Sequence, residues 1–586
     1  MAQFNDSDSS DVFDYVIVGA GAAGSILANR LSEDGKATVC VLEAGPADWH
    51  PFLHIPAGFV KVLFNPAFTW QFSSEPTANT KGRRVAVPQG RTLGGSTAIN
   101  GLVYNRALPS DYDKWAAAGN SGWSFADVLP YFKRTERKIG AGDDRLRGRE
   151  GELPITDMDW FHPICDAFMA GATAQGLPRN PDYNGSSQYG VGYYQRNIFN
   201  GWRQSTARTF LRPAAKRNNV EVRTHAHTTA VLFEGRRAVG VRYVRGGATG
   251  APREVRARRE VILSCGSINT PKLLQLSGVG PAPLLQSLGI PVLHDSSGVG
   301  ENLRDHYSIR MVAKVGNSTT MNELSTGLRL QAQIARWLTR RPNILALSPS
   351  LVHWFAKSDD HLAEPDLQGV FTPASYREGY VGVLDRYPGM TCGVWQHRPY
   401  STGYVRARSS NPFEDPLVQP NYLQDERDQQ VLLAGMRMAR RLLRSPELAR
   451  FFVAENLPGD SATSDQELLD FARSFGASCY HVMGTARMGP ASDPTAVVDD
   501  ELRVRGVAGL RVVDASVMPN MISGNTCAAT MMIAEKAADL IRGREPARAD
   551  PEAASGERHG SGAKTSARAA GASSCPELLS TAKSRA

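Results

Sequence analysis

Apolar and polar positions along the chain change period repeatedly, and each change marks a predicted strand or helix. Phe13-Asp14-Tyr15-Val16-Ile17-Val18 is an apolar run of strand length that leads directly into Gly19-Ala20-Gly21-Ala22-Ala23-Gly24. Ala22 to Leu31 has the composition of a helix, and Ala37 to Leu42 reads as a second buried strand ending at Glu43. Strand, glycine turn, helix, strand and terminal acid together form a dinucleotide-binding pattern. Gly19 permits the tight turn, Gly21 lets the backbone approach a pyrophosphate, and Gly24 lets the helix pack closely on the strand. The free N–H groups at the helix N-terminus then face the phosphates. Glu43 can accept hydrogen bonds from ribose hydroxyls, and an acid there disfavours the 2′-phosphate of NADP. The pattern alone does not separate FAD from NAD.

Further along, Val220-Glu221-Val222, Ala230 to Phe233 and Val239 to Tyr243 alternate with glycine-rich turns, so residues 220–263 are expected to form antiparallel strands. Val261-Ile262-Leu263 leads into small residues, Pro271 is expected in the first turn of the following helix, and Ser277 to Gly280 is its exit. Residues 429–452 recur at helical spacing and predict an amphipathic helix. Beyond Gly543 large apolar residues almost vanish to about residue 576, so 543–586 is expected to be a disordered tail. Its end, Pro576 to Leu579, is either a docking peptide or a terminus without function.

Composition narrows the class. At 586 residues and 42% hydrophobic, the chain can bury a core large enough for two domains. The net charge of +8 comes from 66 basic and 58 acidic residues spread along the sequence, without the basic, aromatic-interleaved cluster of a nucleic-acid binder. No apolar run reaches transmembrane length, and Met1 to Asp8 is polar and acidic, unlike a secretory leader. Seven cysteines, odd in number and without Cys-x-x-Cys spacing, argue against a disulfide framework or a zinc site. The expectation is a cytoplasmic protein with no metal and no nucleic-acid partner.

Two longer stretches carry a family resemblance. Gly90-Arg91-Thr92-Leu93-Gly94-Gly95-Ser96-Thr97-Ala98-Ile99-Asn100, continuing to Tyr104, Ala107 and Asp113, resembles the first signature of the glucose–methanol–choline (GMC) oxidoreductases. Gly266 to Gly280 resembles the second. Tyr480-His481-Val482-Met483-Gly484-Thr485 resembles the segment with the family's catalytic histidine. Asp514-Ala515-Ser516 and Gly524-Asn525-Thr526 resemble its closing segment. The resemblance runs from about residue 12 to about residue 542. It implies an α/β fold with a discontinuous Rossmann-like FAD-binding domain (12–115, 216–310, 475–542) and an α+β substrate-binding domain with an antiparallel sheet (116–215, 311–474). It also implies FAD-dependent oxidation of a primary alcohol to an aldehyde by hydride transfer to flavin N5. His481 would be the general base, and Asn525 would donate a hydrogen bond to the developing alkoxide.

The cofactor contacts implied are Gly19, Gly21, Gly24, Glu43, Ala44, Arg91, Gly94, Gly95, Asn100, Gly101, Val103, Thr228, Asp514, Ala515, Asn525 and Thr526. Thr526 would open a helix whose dipole favours an anionic reduced flavin. Some relatives link FAD covalently through a histidine at the position of Ile99. Isoleucine has no nucleophile, so non-covalent FAD is expected. Gly298 to His306 resembles another segment near the cofactor, with His306 expected to be structural. Val482-Met483 and Cys527-Ala528-Ala529 depart from the common pattern, which leaves substrate and acceptor open. Leu351 stands where the choline-oxidising branch has an ammonium-binding glutamate, favouring a neutral alcohol over choline. Trp354 is either an aromatic wall of the site or a core residue. The electron acceptor is O2, a quinone or another carrier. An FAD-containing hydroxynitrile lyase or a fatty acid photodecarboxylase are the readings of other classes.

Overall fold

The computed structural model describes residues 11–377 and 383–547. Residues 548–586, with Cys575 and the Pro576 to Leu579 segment, lie outside the described residues, as does most of the expected tail. Val12–Val18 lies between two parallel neighbours, Val39–Leu42 on one side and the C-terminal half of Pro252–Leu263 on the other. Val220–Arg223 extends the parallel set beyond Val39–Leu42, and Leu510–Val512 pairs parallel with Pro252–Leu263. The N-terminal half of Pro252–Leu263 pairs antiparallel with Arg237–Arg245, which pairs in turn with Ala226–Glu234. This is a Rossmann-like sheet with an antiparallel extension. Val220–Arg223 departs from the expected antiparallel set because alternation records which face of a strand is buried, not the direction of its partner.

Helix Ala22–Ser32 covers this sheet with nine of its eleven residues buried. A Cβ on Gly24 would fall 1.9 Å from the Gly19 carbonyl oxygen, so only glycine allows the helix to approach the turn this closely. Pro271 occurs well inside helix Gly266–Leu276, not in its first turn. Proline lacks the N–H that would bond the Ser267 carbonyl, and Thr485 Oγ1 donates to that carbonyl at 2.7 Å. The gap in the helix ladder thus becomes an attachment point for the segment that carries His481.

The second sheet runs Phe452–Leu457, Tyr307–Val315, Gly389–Gln396, Leu367–Thr372, Val352–Ala356 and Gly190–Tyr193, antiparallel throughout. Along Tyr307–Val315 side chains alternate between faces. Ile309, Met311, Ala313 and Val315 enter a core shared with Leu432, Met436 and Ala439 of helix Glu426–Leu443. That helix stops short of the expected 452. Ser445-Pro446 follows it, a short 3-10 turn forms over Pro446–Leu448, and the apolar residues beyond belong to strand Phe452–Leu457.

The core under the first sheet also takes in Trp123, Val128, Tyr131, Phe132, Leu153 and Ile155. These fall in the stretch assigned to the second domain on sequence grounds. Helix Phe125–Thr135 packs on Thr526–Ile541, where Arg134 pairs with Glu535 and Asp539. An amphipathic helix without a motif does not announce which sheet it will cover. Among the described residues no helix is long and apolar enough to cross a membrane.

Candidate active site

A cavity of about 380 Å³ lies between the two sheets, lined from both. Gly19, Gly21, Glu43, Ala44, Gly95, Thr228, Asp514 and Ala515 line one end, and Asn100, Gly101, Val103, His481, Asn525 and Thr526 also line it. Gly24, Arg91 and Gly94 do not reach it. Gly24 is the packing contact described above, and Arg91 stacks 4.7 Å over Trp70, itself a lining residue. Gly94, at φ +87°, donates its N–H to the Ala20 carbonyl at 2.8 Å. It thereby sets Gly95 against the first glycine turn, where a Cβ would fall 2.7 Å from Gly21 Cα. The two segments can approach this closely only because Gly95 has no side chain.

The cofactor end is short of polar partners in the way a bound dinucleotide would relieve. Gly21 caps helix Ala22–Ser32 without a side chain, leaving first-turn N–H groups free. Glu43 accepts hydrogen bonds from Ala20 N at 3.0 Å and Gly45 N at 2.8 Å. Burial nevertheless pushes its carboxyl up to about 7. Each oxygen keeps a lone pair for a hydroxyl. Asp514 is fixed by Gly266 N, Thr270 Oγ1 and Ser516 N, and burial raises it too. The lining residues Gln89, Thr228, Ser264 and Ser267 each hold a buried polar side-chain atom with no protein partner. Buried polar groups are almost always satisfied, so these residues fit a ligand rich in hydroxyls and phosphates. Ile99, also lining, packs with Leu53, Val62, Leu63 and Ala98 and offers no group for a covalent link.

At the other end, His481 Nε2 meets Asn525 Nδ2 at 2.9 Å. The two residues arrive on different elements. Asn525 caps helix Thr526–Ile541. His481 follows the short strand Ala477–Ser478, which pairs with the start of Tyr307–Val315. Cys479 N donates to His306 O at 2.9 Å, His481 N to Asp305 Oδ1 at 2.8 Å, and Arg304 and Met483 exchange backbone hydrogen bonds. The two segments are zipped together on either side of His481.

That zipper brings in a residue the sequence reading set aside. His306 is fully buried, with Nδ1 2.9 Å from His481 Nδ1 and Nε2 2.6 Å from the His397 carbonyl oxygen. A carbonyl only accepts, so His306 Nε2 carries the proton and its Nδ1 keeps a lone pair. His481 Nδ1 must then be the donor, which leaves Nε2 of His481 as the unprotonated, basic nitrogen beside Asn525 and the cavity. Gln368 Nε2 donates to Asn525 Oδ1 at 3.3 Å, which turns the amide donor towards His481. Burial, then the repulsion of His306, holds His481 well below the ordinary histidine range. Burial pushes His306 down to about 4. Asp305, which also accepts from Tyr422 Oη at 2.6 Å, is pushed up to about 6 by burial. Gly298 to His306 was visible in the sequence as a segment near the cofactor, but no spacing rule pairs residue 306 with residue 481.

Trp354 proves to be a core residue, fully buried in the second cluster and absent from the cavity lining. The aromatic and polar walls of the second sheet are instead Ser308, Arg310, Val370, Thr372, Tyr376, Thr391 and Trp395. They alternate along neighbouring strands, a pattern that in sequence looks like any half-buried strand.

A dinucleotide-binding sheet facing an antiparallel sheet, with a histidine–asparagine pair at their junction, defines a flavoprotein oxidoreductase architecture. The chain belongs to the GMC oxidoreductase family, whose models match residues 13–308 and 399–534. It is 38% identical over 533 residues, 90% of this chain and 96% of the relative, to an alcohol dehydrogenase [acceptor] of Pseudomonas putida. It is 39% identical over 548 residues, 92% of this chain and 91% of the relative, to the mitochondrial choline dehydrogenase of Homo sapiens. In structure it resembles pyridoxine 4-oxidase from Mesorbium loti with a TM-score of 0.81 at 29% identity, covering 91% of this chain and 99% of that one.

Proposed function

We propose that this protein binds FAD non-covalently and oxidises a primary alcohol to an aldehyde. The similarity to an alcohol dehydrogenase and a choline dehydrogenase supports alcohol chemistry. The observation that carries the mechanism is the hydrogen-bonded series His397 carbonyl, His306, His481, Asn525. It leaves a neutral imidazole nitrogen and an amide donor side by side, which is what an alcohol oxygen needs while it loses its proton.

Gly19, Gly21, Glu43, Gly95, Asp514 and the first turn of helix Ala22–Ser32 would hold the dinucleotide, with Asn100, Gly101, Val103 and Thr526 towards its flavin. A flavin bound there supplies the acceptor for the hydride that leaves the alcohol carbon. The hydroxyl enters between the two side chains, donating to His481 Nε2 and accepting from Asn525 Nδ2. His481 takes the proton at Nε2 as general base. The imidazolium that results is held by its Nδ1–H bond to His306. Asn525 meets the alkoxide character on the same oxygen. The depressed His481 keeps the base unprotonated at neutral pH. A dehydrogenase passing electrons to a quinone or another carrier is in keeping with the acceptor-dependent alcohol dehydrogenase of Pseudomonas putida, and O2 is the alternative acceptor.

The test is anaerobic mixing of the purified yellow protein with an alcohol panel that includes choline, followed by O2 and then a quinone or dye. Alcohol-dependent bleaching is expected. Bleaching without any alcohol dependence, or lyase or light-driven chemistry in its place, would overturn the reading. His481→Ala should slow bleaching by about two to four orders of magnitude with the flavin still bound.

A further inference from the structure

Tyr307–Val315 presents its even positions to the cavity. Ser308 and Arg310 line it while Ile309, Met311 and Ala313 turn into the core. Among the described residues the only other lysine or arginine in the lining is Lys272, whose Nζ donates to Pro412 O at 2.7 Å at the cofactor end. The lining acids among the described residues are Glu43 and Asp514, also at the cofactor end and already accepting from backbone N–H groups. Arg310 has no hydrogen-bonded or ion-paired partner among the described residues, while its walls are Val370, Thr372, Tyr376 and Trp395. Its charge is felt there. Burial raises Tyr376, Cys479 and Tyr480, and Arg310 opposes that rise in each.

A guanidinium is charged at every working pH, and its planar fork matches a carboxylate in two parallel hydrogen bonds. Held in a partly enclosed cavity without a counter-ion, it favours an anionic ligand and repels a cationic one. We propose that Arg310 anchors a carboxylate carried by the substrate, so that the preferred alcohols are hydroxy acids with the two groups at opposite ends. Arg310 is four residues beyond His306, roughly 13 Å along an extended strand. His306 touches His481, so the anchor and the base are separated by several carbons of substrate chain. A quaternary ammonium alcohol such as choline would meet the guanidinium and be disfavoured.

This inference rests on the proposed alcohol oxidation, and its test separates the two. Anaerobic flavin reduction is followed with three chain-matched alcohols, hexan-1-ol, 6-hydroxyhexanoate and 6-aminohexan-1-ol, on wild type, Arg310→Lys and Arg310→Met. Binding of adipate, which cannot be oxidised at a carbinol, is measured in parallel by the shift it causes in the flavin spectrum. The expected result is a kcat/KM for the hydroxy acid about tenfold or more above that of the neutral alcohol, with the amino alcohol poorest. Arg310→Met should lower kcat/KM for the hydroxy acid far more than for hexan-1-ol, erasing the preference, and should weaken adipate, while Arg310→Lys keeps part of both. If hexan-1-ol reduces the flavin but the hydroxy acid is no better and Arg310→Met changes nothing, the anchor is refuted and the alcohol chemistry survives. If no alcohol reduces the flavin yet adipate binds in an Arg310-dependent way, the anion site stands and the reaction assignment falls.

Discussion

Replacing His306 tests whether the tautomer of the base is set by its neighbour. His306→Leu removes the Nδ1 acceptor 2.9 Å from His481 Nδ1 and leaves a buried N–H donor with nothing to bond. A buried donor without a partner costs about 1–3 kcal/mol. The loss bears most heavily on the transition state, where His481 becomes cationic and its Nδ1–H is most polarised. If the full amount appears in the barrier, flavin reduction at saturating alcohol slows by roughly 5- to 150-fold. A second readout separates this from simple loosening of the core. His306 is itself pushed down to about 4, and only at that acid pH does its charge repel a second proton on His481, so removing it should move the acid limb of the rate profile up in pH even though the neutral-pH rate falls with the lost acceptor. His306→Asn puts a carbonyl oxygen near the lost Nδ1 and should recover much of the rate. Stopped-flow reduction across pH, with flavin content measured on each preparation, reads all three. A His306→Leu protein that is fully loaded, reduces at the wild-type rate and has an unshifted profile would refute the relay.

Four further outcomes follow from the same geometry. Asn525→Ala should slow flavin reduction by roughly 100-fold, about 3 kcal/mol, with little change in flavin content. In the wild type, kcat/KM should stay flat below the usual imidazole range near 6.5, because His481 is held low and stays neutral; a profile breaking at an ordinary histidine pKa would count against the buried site. The same burial should make the fold acid-sensitive. His306 and His353 titrate near 4 and 3 in the folded chain but near 6.5 unfolded, so from about pH 6.5 downwards the unfolded chain binds protons first. Each then removes stability on the order of 1 kcal/mol per pH unit until its folded value is reached, visible as a falling Tm. Thr485→Val strips the donor from the Ser267 carbonyl that Pro271 leaves open, and should cost about 1–3 kcal/mol, read as a lower Tm and weaker flavin retention.

The parts of the site legible in the sequence were those governed by local geometry. Gly19 and Gly24 must be glycine because backbone passes within a Cβ's reach, and the Gly-x-Gly-x-x-Gly pattern announces both in a single segment. Glu43 ends its strand where an acid was expected. Partnership across the chain was not legible. Arg91 and Gly94 belong to the same signature as Gly95 yet serve it from behind, one stacked on Trp70 and the other bonded to Ala20. His306 read as structural because its relation to His481 exists only once Ala477–Ser478 pairs with Tyr307–Val315. Trp354 drew attention as a large aromatic on a strand, but the strand's pleat turns it into the core.

The pleat of Tyr307–Val315 has an evolutionary corollary. One face is committed to holding the molecule together, and the other is free to be redecorated. The proton-handling pair is fastened at the strand's beginning, outside the stretch where variation would alter what the enclosure accepts. A lineage could therefore exchange Arg310, unlike Ser308, Thr372 and Thr391 whose hydroxyls hold backbone carbonyls, and acquire a different diet while its acid–base chemistry stayed as it was.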